Sequence, residues 1–211
     1  MIQDTLELAD HGPVIPVIVV QRLTDAVPLA RALLAGGVRV LEVTLRTPVA
    51  LEAMKAMIHA VPEAIVGAGT VRSVNDAEAA HAAGCAFAVS PGYTSAVGQA
   101  CRRLGLPLLP GVATASEVMA AQADGLSFLK FFPATAAGGI PLLKALSGPF
   151  ADVKFCPTGG ISVQTAPDFL ALPNVPVCGG SWLTPKEALE SGDWQRITQL
   201  AQEASALRRR A

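Results

Sequence analysis

Lys130 is the side chain whose surroundings most strongly indicate chemistry. It lies in the apolar run SFLKFFP at residues 127–133, which contains no other charged residue. Lysine is seldom fully buried, because removing an ammonium group from water is costly. A buried lysine avoids this cost by losing its proton, and a neutral amine is a nucleophile. Lys130 is therefore a candidate imine-forming residue; the alternative is a buried stem whose amine extends to water at the strand end.

A second lysine has a similar setting. The run KFCP at residues 154–157 repeats the pattern of KFFP at residues 130–133. Lys55, Lys144 and Lys186 lie on helix-like or loop stretches, where lysine is an ordinary surface residue. The spacing alone leaves Lys130 and Lys154 as rival candidates for the nucleophile.

The elements that must position these side chains alternate regularly along the chain. Short apolar runs predict strands at 14–20, 38–44, 65–68, 87–90, 108–110, 128–131, 154–157 and 177–178. Amphipathic, alanine-rich stretches predict helices at 24–34, 48–60, 73–83, 95–104, 115–123, 140–146 and 166–172, with a short lid-like helix at 2–9 and a closing helix at 194–207. Apolar strands separated by helices are typical of a parallel sheet covered by helices. Eight such units predict an α/β fold, a single (β/α)₈ barrel (TIM barrel) with an N-terminal helix, as one domain over residues 1–211; a doubly wound open sheet is the alternative.

Composition excludes several classes of protein. With 51% apolar and 16% charged residues and a net charge of -1, the chain is neither disordered nor suited to nucleic acid or to an acidic membrane. The triplet at residues 208–210 is interpreted as a solvated arginine tail. No signal peptide is recognised, and the longest apolar run, 14–20, is too short to span a bilayer. We expect a soluble protein of a reducing compartment.

The cysteines and histidines do not predict a metal site. The cysteines form no C-x-x-C pair, and the histidines lack metal-ligand spacing. Cys156 and Cys178 fall in strand-like runs and are interpreted as small buried residues. The residues concerned are Cys85, Cys101, Cys156, Cys178, His11, His59 and His81.

Polar residues gather where the predicted strands end, which is where barrels of this kind carry their active sites. Glu42 alternates with Leu41 and Val43, so it should face the barrel interior if they face the helices. It could shuttle protons, or only neutralise a buried cation. Arg46 follows at the strand end, where its planar fork suits a carboxylate or phosphate; a surface salt bridge is the alternative.

Two glycine pairs follow the last two predicted strands. They are Gly159-Gly160, after Thr158, and Gly179-Gly180, before Ser181. Loops at these places commonly present backbone N–H groups to a phosphate, and glycine allows close approach. Tight turns at a crowded rim are the alternative, but two pairs in adjacent loops favour a phosphate site.

These residues resemble the 2-dehydro-3-deoxy-6-phosphogluconate (KDPG) and 4-hydroxy-2-oxoglutarate (KHG) aldolase family. The matching segments are VIPVIV at 14–19, GVRVLEVTLRT at 37–47, VGAGT at 66–70, KFFPA at 130–134, FCPTGGI at 155–161 and GGSW at 179–182. They span nearly the whole chain in the order typical of the family. The resemblance implies a trimeric class I aldolase on a (β/α)₈ barrel that uses no metal or organic cofactor.

The resemblance also implies roles for individual residues. Lys130 matches the Schiff-base lysine, in preference to Lys154, and Glu42 matches the general acid–base residue. Arg46 and Thr70 match positions at the substrate's carboxylate end. Further matching positions are Pro91 and Phe132, which line the pocket, and Gly159, Gly160, Gly180 and Ser181, which bind phosphate; we add Thr158 as a substrate-binding residue.

The implied reaction is the cleavage of KDPG to pyruvate and glyceraldehyde 3-phosphate in the cytoplasm, by a homotrimer acting on a phosphorylated 2-keto acid. Residues 135–137 replace a glutamate and an asparagine that are frequent in the family, and Ala113 replaces a serine. These departures bear on substrate preference. The alternatives are a KHG aldolase, a 2-dehydro-3-deoxy-6-phosphogalactonate aldolase, and a non-catalytic barrel that binds phosphosugars.

Overall fold

Parallel strands form two hydrogen-bonded sheets in the computed structural model, which describes residues 2–207. Six strands pair in the order β5-β4-β3-β2-β1-β9, and three pair in the order β6-β7-β8. The strands are β1 (Val14–Ile18), β2 (Val40–Thr44), β3 (Ile65–Gly69), β4 (Ala88–Val89), β5 (Leu108–Leu109), β6 (Gly111–Val112), β7 (Phe128–Phe131), β8 (Lys154–Pro157) and β9 (Cys178–Gly180). The fold is therefore α/β with parallel sheets, as the alternation of apolar runs predicted.

Helices occupy the connections between successive strands, except between β5 and β6, as a parallel arrangement requires. They are α1 (Ala26–Ala35), α2 (Ala50–Ala60), α3 (Val74–Ala82), α4 (Ser95–Leu104), α5 (Ala115–Ala123), α6 (Gly139–Leu146), α7 (Ala166–Leu170), α8 (Lys186–Ser191) and α9 (Trp194–Ser205), with 3₁₀ helices at Thr5–His11 and Leu23–Asp25. The short α8 was not among the helices predicted from the sequence.

The two sheets adjoin at both of their edges. Only Pro110 separates β5 from β6, and its carbonyl accepts a hydrogen bond from the Lys130 amide at 2.8 Å. At the other edge, Thr158 and Gly179 form an isolated parallel bridge between the ends of β8 and β9. The predicted strand at 108–110 is thus observed as β5, which ends at Leu109, and the further strand β6 follows beyond the predicted range; Pro110 between them has no N–H to donate to a ladder.

The inward faces of the strands form an apolar cluster of their own. Ile15, Val40, Phe87 and Leu109 belong to it, each from a different strand or strand start. Gly67 leaves room for the Phe87 ring, since a Cβ there would lie 2.4 Å from it. The outward faces pack against the helices in two larger clusters.

The N-terminal segment is a 3₁₀ helix that starts later than the predicted 2–9. A capping box between Asp4 and Glu7 defines its start, and Leu8 is fully buried with the inward-facing cluster. A groove beside this helix is bordered by Lys154, the first residue of β8. The helix therefore covers the amino ends of the strands.

Thr47 is not the cap of α2, although Thr47-Pro48 is a typical start signal. The helix begins at Ala50, after Val49, and the Thr47 hydroxyl donates instead to the Val20 carbonyl at 2.6 Å. The arginine triplet at 208–210 lies outside the described residues. Within 2–207, no helix is long and apolar enough to cross a membrane.

Candidate active site

Lys130 and Glu42 form a buried ion pair. Their side chains project from β7 and β2, and Lys130 Nζ donates to Glu42 Oε1 at 3.1 Å. Lys130 is 5% exposed and Glu42 3%, so water screens the contact little. Both were singled out from the sequence, and the structure brings them together across 88 positions of the chain.

Strand alternation explains why the two side chains meet. Leu41 and Val43 pack in the outer cluster on one side of the molecule, and Leu129 and Phe131 pack in the outer cluster on the other. The intervening residue of each strand must then point inward, because successive side chains alternate between faces. The predicted inward orientation of Glu42 is confirmed.

Cys156 lies beside Lys130 on the neighbouring strand. The two residues are direct partners in the β7–β8 register, so their side chains share the inward face. Burial raises the pKa of the Cys156 thiol to about 12, and the charges of Lys130 and Glu42 act on it in opposite directions. The thiol is therefore protonated and unreactive at neutral pH, and the interpretation of Cys156 as a small buried residue is confirmed.

Arg46 and Thr70 form the rim of the site next to Glu42. Arg46 is exposed and its Nε donates to Thr70 Oγ1 at 3.2 Å. Thr70 has φ of 64°, the one positive φ outside glycine in residues 2–207. The left-handed conformation is costly for a β-branched residue, and such strain concentrates at functional sites.

Phe132 and the loop after β8 border the site on the other side. Lys130 Nζ lies 5.5 Å from the centre of the Phe132 ring. The Thr158 carbonyl accepts from the Ala134 amide at 2.8 Å, and the Gly159 carbonyl accepts from Thr135 at 3.1 Å, which ties this loop to the segment after Lys130. Gly159 and Gly160 have φ of 101° and 76°, conformations that favour glycine.

The remaining predicted positions also follow strand ends. Gly180 ends β9, and the ring of Trp182 occupies the space where its Cβ would be. Ser181 is exposed, and Pro91 follows β4 next to Ser90, whose buried hydroxyl has no partner. The predicted site residues thus collect at the carboxyl ends of the strands, around a buried pair.

A cavity of about 680 Å³ opens beside this site. Among the described residues, its lining includes Ser181, Val17 of β1, and Val19, which follows β1. It includes neither Lys130 nor Glu42. The cavity therefore adjoins the predicted phosphate loop at Ser181 and does not include the catalytic candidates.

Lys154, the rival lysine, is at the opposite end of its strand. It begins β8, is only partly buried, and its Nζ donates to the Pro173 carbonyl at 3.1 Å. Gly69 lies among the residues at the predicted strand ends, but sequence reasoning gave it no role: a Cβ there would lie 2.5 Å from Glu42 Oε1. The alternation of Gly67 and Gly69 on the inward face of β3 was the available signal.

The buried Lys130–Glu42 pair and its place in the fold indicate one kind of chemistry. A buried amine held by a carboxylate at the carboxyl ends of parallel strands is suited to imine chemistry. Within residues 2–207, no three His, Cys, Asp or Glu side chains are grouped to hold a metal ion.

Comparisons with known proteins identify the family. Residues 5–200 match the family model described as KDPG and KHG aldolase. The KHG/KDPG aldolase of Escherichia coli K12 is 55% identical over 193 residues, 92% of this chain and 91% of that one. The chain belongs to the KDPG and KHG aldolase family.

Solved structures agree with this assignment. The 2-keto-3-deoxy-6-phosphogluconate aldolase of Zymomonas mobilis ZM4, crystallised with 3-phosphoglycerate, is 47% identical with a TM-score of 0.93, over 99% of this chain and 98% of that one. The KDPG aldolase of Legionella pneumophila, with pyruvate captured as a covalent carbinolamine, is 50% identical with a TM-score of 0.92, over 94% and 97%.

Proposed function

We propose that the chain cleaves KDPG reversibly to pyruvate and glyceraldehyde 3-phosphate through an imine on Lys130. The observation that carries the proposal is the buried Lys130–Glu42 contact at 3.1 Å. An amine needs a proton donor and acceptor beside it to form and hydrolyse an imine, and the carboxylate supplies one within direct reach. A barrel that only binds phosphosugars has no need of such a pair.

The chemistry follows from this contact. Lys130 Nζ adds to the C2 ketone, and Glu42 moves the protons that allow the carbinolamine to lose water. The protonated imine then accepts the electron pair of the C3–C4 bond while Glu42, through a water, takes the proton of the C4 hydroxyl. Glyceraldehyde 3-phosphate leaves, the enamine is protonated at C3, and hydrolysis releases pyruvate and the free lysine. The carbinolamine held by the Legionella neighbour is formed from pyruvate, so it corresponds to the last covalent intermediate of this sequence, before pyruvate leaves the lysine.

The rim residues hold the two ends of the substrate. Arg46 and Thr70 bind the carboxylate end of the substrate. The hydrogen bond between them already orients these two side chains. Pro91, Phe132 and Thr158 line the space between. The phosphate is bound by Gly159, Gly160, Gly180 and Ser181, of which Gly160 and Ser181 are exposed. Binding energy at this distant group positions the reacting atoms near Lys130.

The proposal includes a closed (β/α)₈ barrel as a single domain. Its support is the hydrogen bonding where the two sheets adjoin: the Thr158–Gly179 bridge at one edge, and the bond of the Lys130 amide to the Pro110 carbonyl at the other. The family resemblance extends the proposal to a homotrimer in the cytoplasm. The free thiols of all four cysteines fit a reducing compartment.

KHG is a second candidate substrate, because the Escherichia coli relative is named for both. It would use the same lysine but lacks a phosphate. Ser181→Ala separates the two: losing one hydrogen bond to a charged group should raise KM for KDPG about tenfold or more and leave KHG cleavage unchanged. Release of pyruvate is the readout.

Ser147→Ala is the matched control, because that hydroxyl donates to the Lys144 carbonyl on α6 and belongs to no predicted site. Inorganic phosphate should compete with KDPG in the wild type and more weakly in Ser181→Ala. Equal KM values for KDPG in all three proteins would contradict the phosphate site. No pyruvate from either substrate would contradict the proposed function itself.

A further inference from the structure

Gly69 occupies the space beside the Glu42 carboxylate. Glu42 on β2 is paired in register with Gly67 on β3, and Gly69 follows two positions later on the same face. Side chains in strands lean along the strand, so the Glu42 carboxylate extends over Gly69 toward the carboxyl end. A Cβ on Gly69 would lie 2.5 Å from Glu42 Oε1, 2.7 Å from its Cγ and 3.0 Å from its Cδ.

The atom closest to that missing Cβ is the atom that holds the lysine. Glu42 Oε1 accepts the hydrogen bond of Lys130 Nζ at 3.1 Å. A methyl group on Gly69 would therefore displace the oxygen that contacts the amine, and not a remote part of the side chain. Because Gly69 lies in regular strand with an ordinary φ, its backbone conformation does not itself demand glycine.

We propose that Gly69 is a positioning residue for Glu42: the absence of a side chain on β3 allows the carboxylate to lie against the strand and reach Lys130. The inference rests on the proposed role of Glu42 as the acid–base group. It assigns to Gly69 an effect on the chemistry that acts entirely through that carboxylate.

Gly67 provides a matched control on the same strand and face. A Cβ there would lie 2.4 Å from the ring of Phe87, which is fully buried in the apolar cluster below the site. The Gly67 methyl group would collide with an aromatic ring of the packed core, whereas the Gly69 methyl group would collide with the side chain of Glu42. Overpacking of a core destabilises a protein, so the two substitutions should have opposite consequences.

The experiment measures stability and chemistry in both variants. Gly69→Ala should still fold, while kcat for KDPG falls about 100-fold, as expected for a misplaced acid–base group. The dependence of its kcat on pH should become that of Glu42→Gln. Gly67→Ala should unfold at a clearly lower temperature and keep the wild-type dependence of kcat on pH.

A double variant tests whether Gly69 acts through Glu42. Adding Gly69→Ala to Glu42→Gln should lower kcat by no more than about threefold further, because contacting residues are not additive. If kcat of the double variant falls by the product of the two single decreases, the proposal is overturned. Wild-type kcat in Gly69→Ala would overturn it as well. A Gly69→Ala chain that does not fold would also overturn it, since the carboxylate and not the backbone must give way. Wild-type turnover in Glu42→Gln would contradict the acid–base role of Glu42 itself. That result is therefore distinct from wild-type turnover in Gly69→Ala alone, which would contradict only the positioning role of Gly69.

Discussion

Two lysines with nearly the same local sequence lie at opposite ends of neighbouring strands. Lys130 is the third residue of β7 and pairs in register with Cys156, whereas Lys154 is the first residue of β8 and pairs with Phe128. Lys130 meets Glu42 in a buried contact. Lys154 bonds a backbone carbonyl beside the groove under the N-terminal 3₁₀ helix.

The difference between them is position along the strand, not the character of the neighbouring residues. At the carboxyl ends, strand β2 supplies a carboxylate, and the loops supply a guanidinium and glycine-rich backbone around one amine. At the amino ends, the same kind of lysine finds a carbonyl and apolar packing. Parallel strands place all their carboxyl ends together, so a displacement of two residues along a strand separates a reactive setting from a structural one.

Replacing each lysine with arginine tests most directly whether the two strand ends differ in function. Lys130→Arg should abolish turnover of KDPG, because a guanidinium cannot form an imine. Lys154→Arg should retain turnover within about twofold and lose little stability, as surface substitutions generally do. Pyruvate release and thermal unfolding measure the two effects. Comparable activity in both variants would remove the distinction between the two strand ends.

Glu42→Gln sharpens the comparison by keeping the shape of the site and removing its proton carrier. Turnover should fall about 100-fold or more, the usual loss for a general acid–base group. Glu117→Gln is the control: this carboxylate accepts from the Ala113 and Thr114 amides at the start of α5, which lowers its pKa, and glutamine also completes a capping box. Unchanged turnover in Glu42→Gln would reduce Glu42 to a charge partner of Lys130.

Thr70→Asn examines a smaller effect, the strain at the carboxyl ends. Asparagine tolerates the left-handed conformation that threonine adopts here, so the free energy of unfolding should rise by about 1 kcal/mol. The contact with Arg46 should weaken, because the hydroxyl that accepts its hydrogen bond is gone. We expect KM for KDPG to rise a few-fold while stability increases, as measured by urea unfolding and initial rates. A less stable protein with unchanged KM would show that the φ of 64° carries no functional strain.

Much of the site followed from strand alternation in the sequence. An inward Glu42 between Leu41 and Val43, and an isolated Lys130 in an apolar run, are local patterns, and the structure places both as alternation requires. The choice between Lys130 and Lys154 was not local. It depends on how far each strand is displaced relative to its neighbours, which is determined by pairing across the sheet and has no signature in KFFP or KFCP.

Sequence reasoning missed the role of one residue that has no side chain and the partner of one that has a polar side chain. Gly69 leaves space for the Glu42 carboxylate because it has no Cβ, and this is visible only once the position of the Glu42 side chain is known. Thr47 has the composition of a helix cap, yet its hydroxyl bonds the Val20 carbonyl, a partner 27 residues away. At both positions the role depends on a contact with a residue distant in sequence.

Trapping the imine tests the central claim most directly. The protein would be incubated with pyruvate, reduced with borohydride, digested, and the modified peptide identified by mass spectrometry. We expect a reduced pyruvate adduct on Lys130 and none on Lys154. An adduct on Lys154, or no adduct on either lysine, would contradict it.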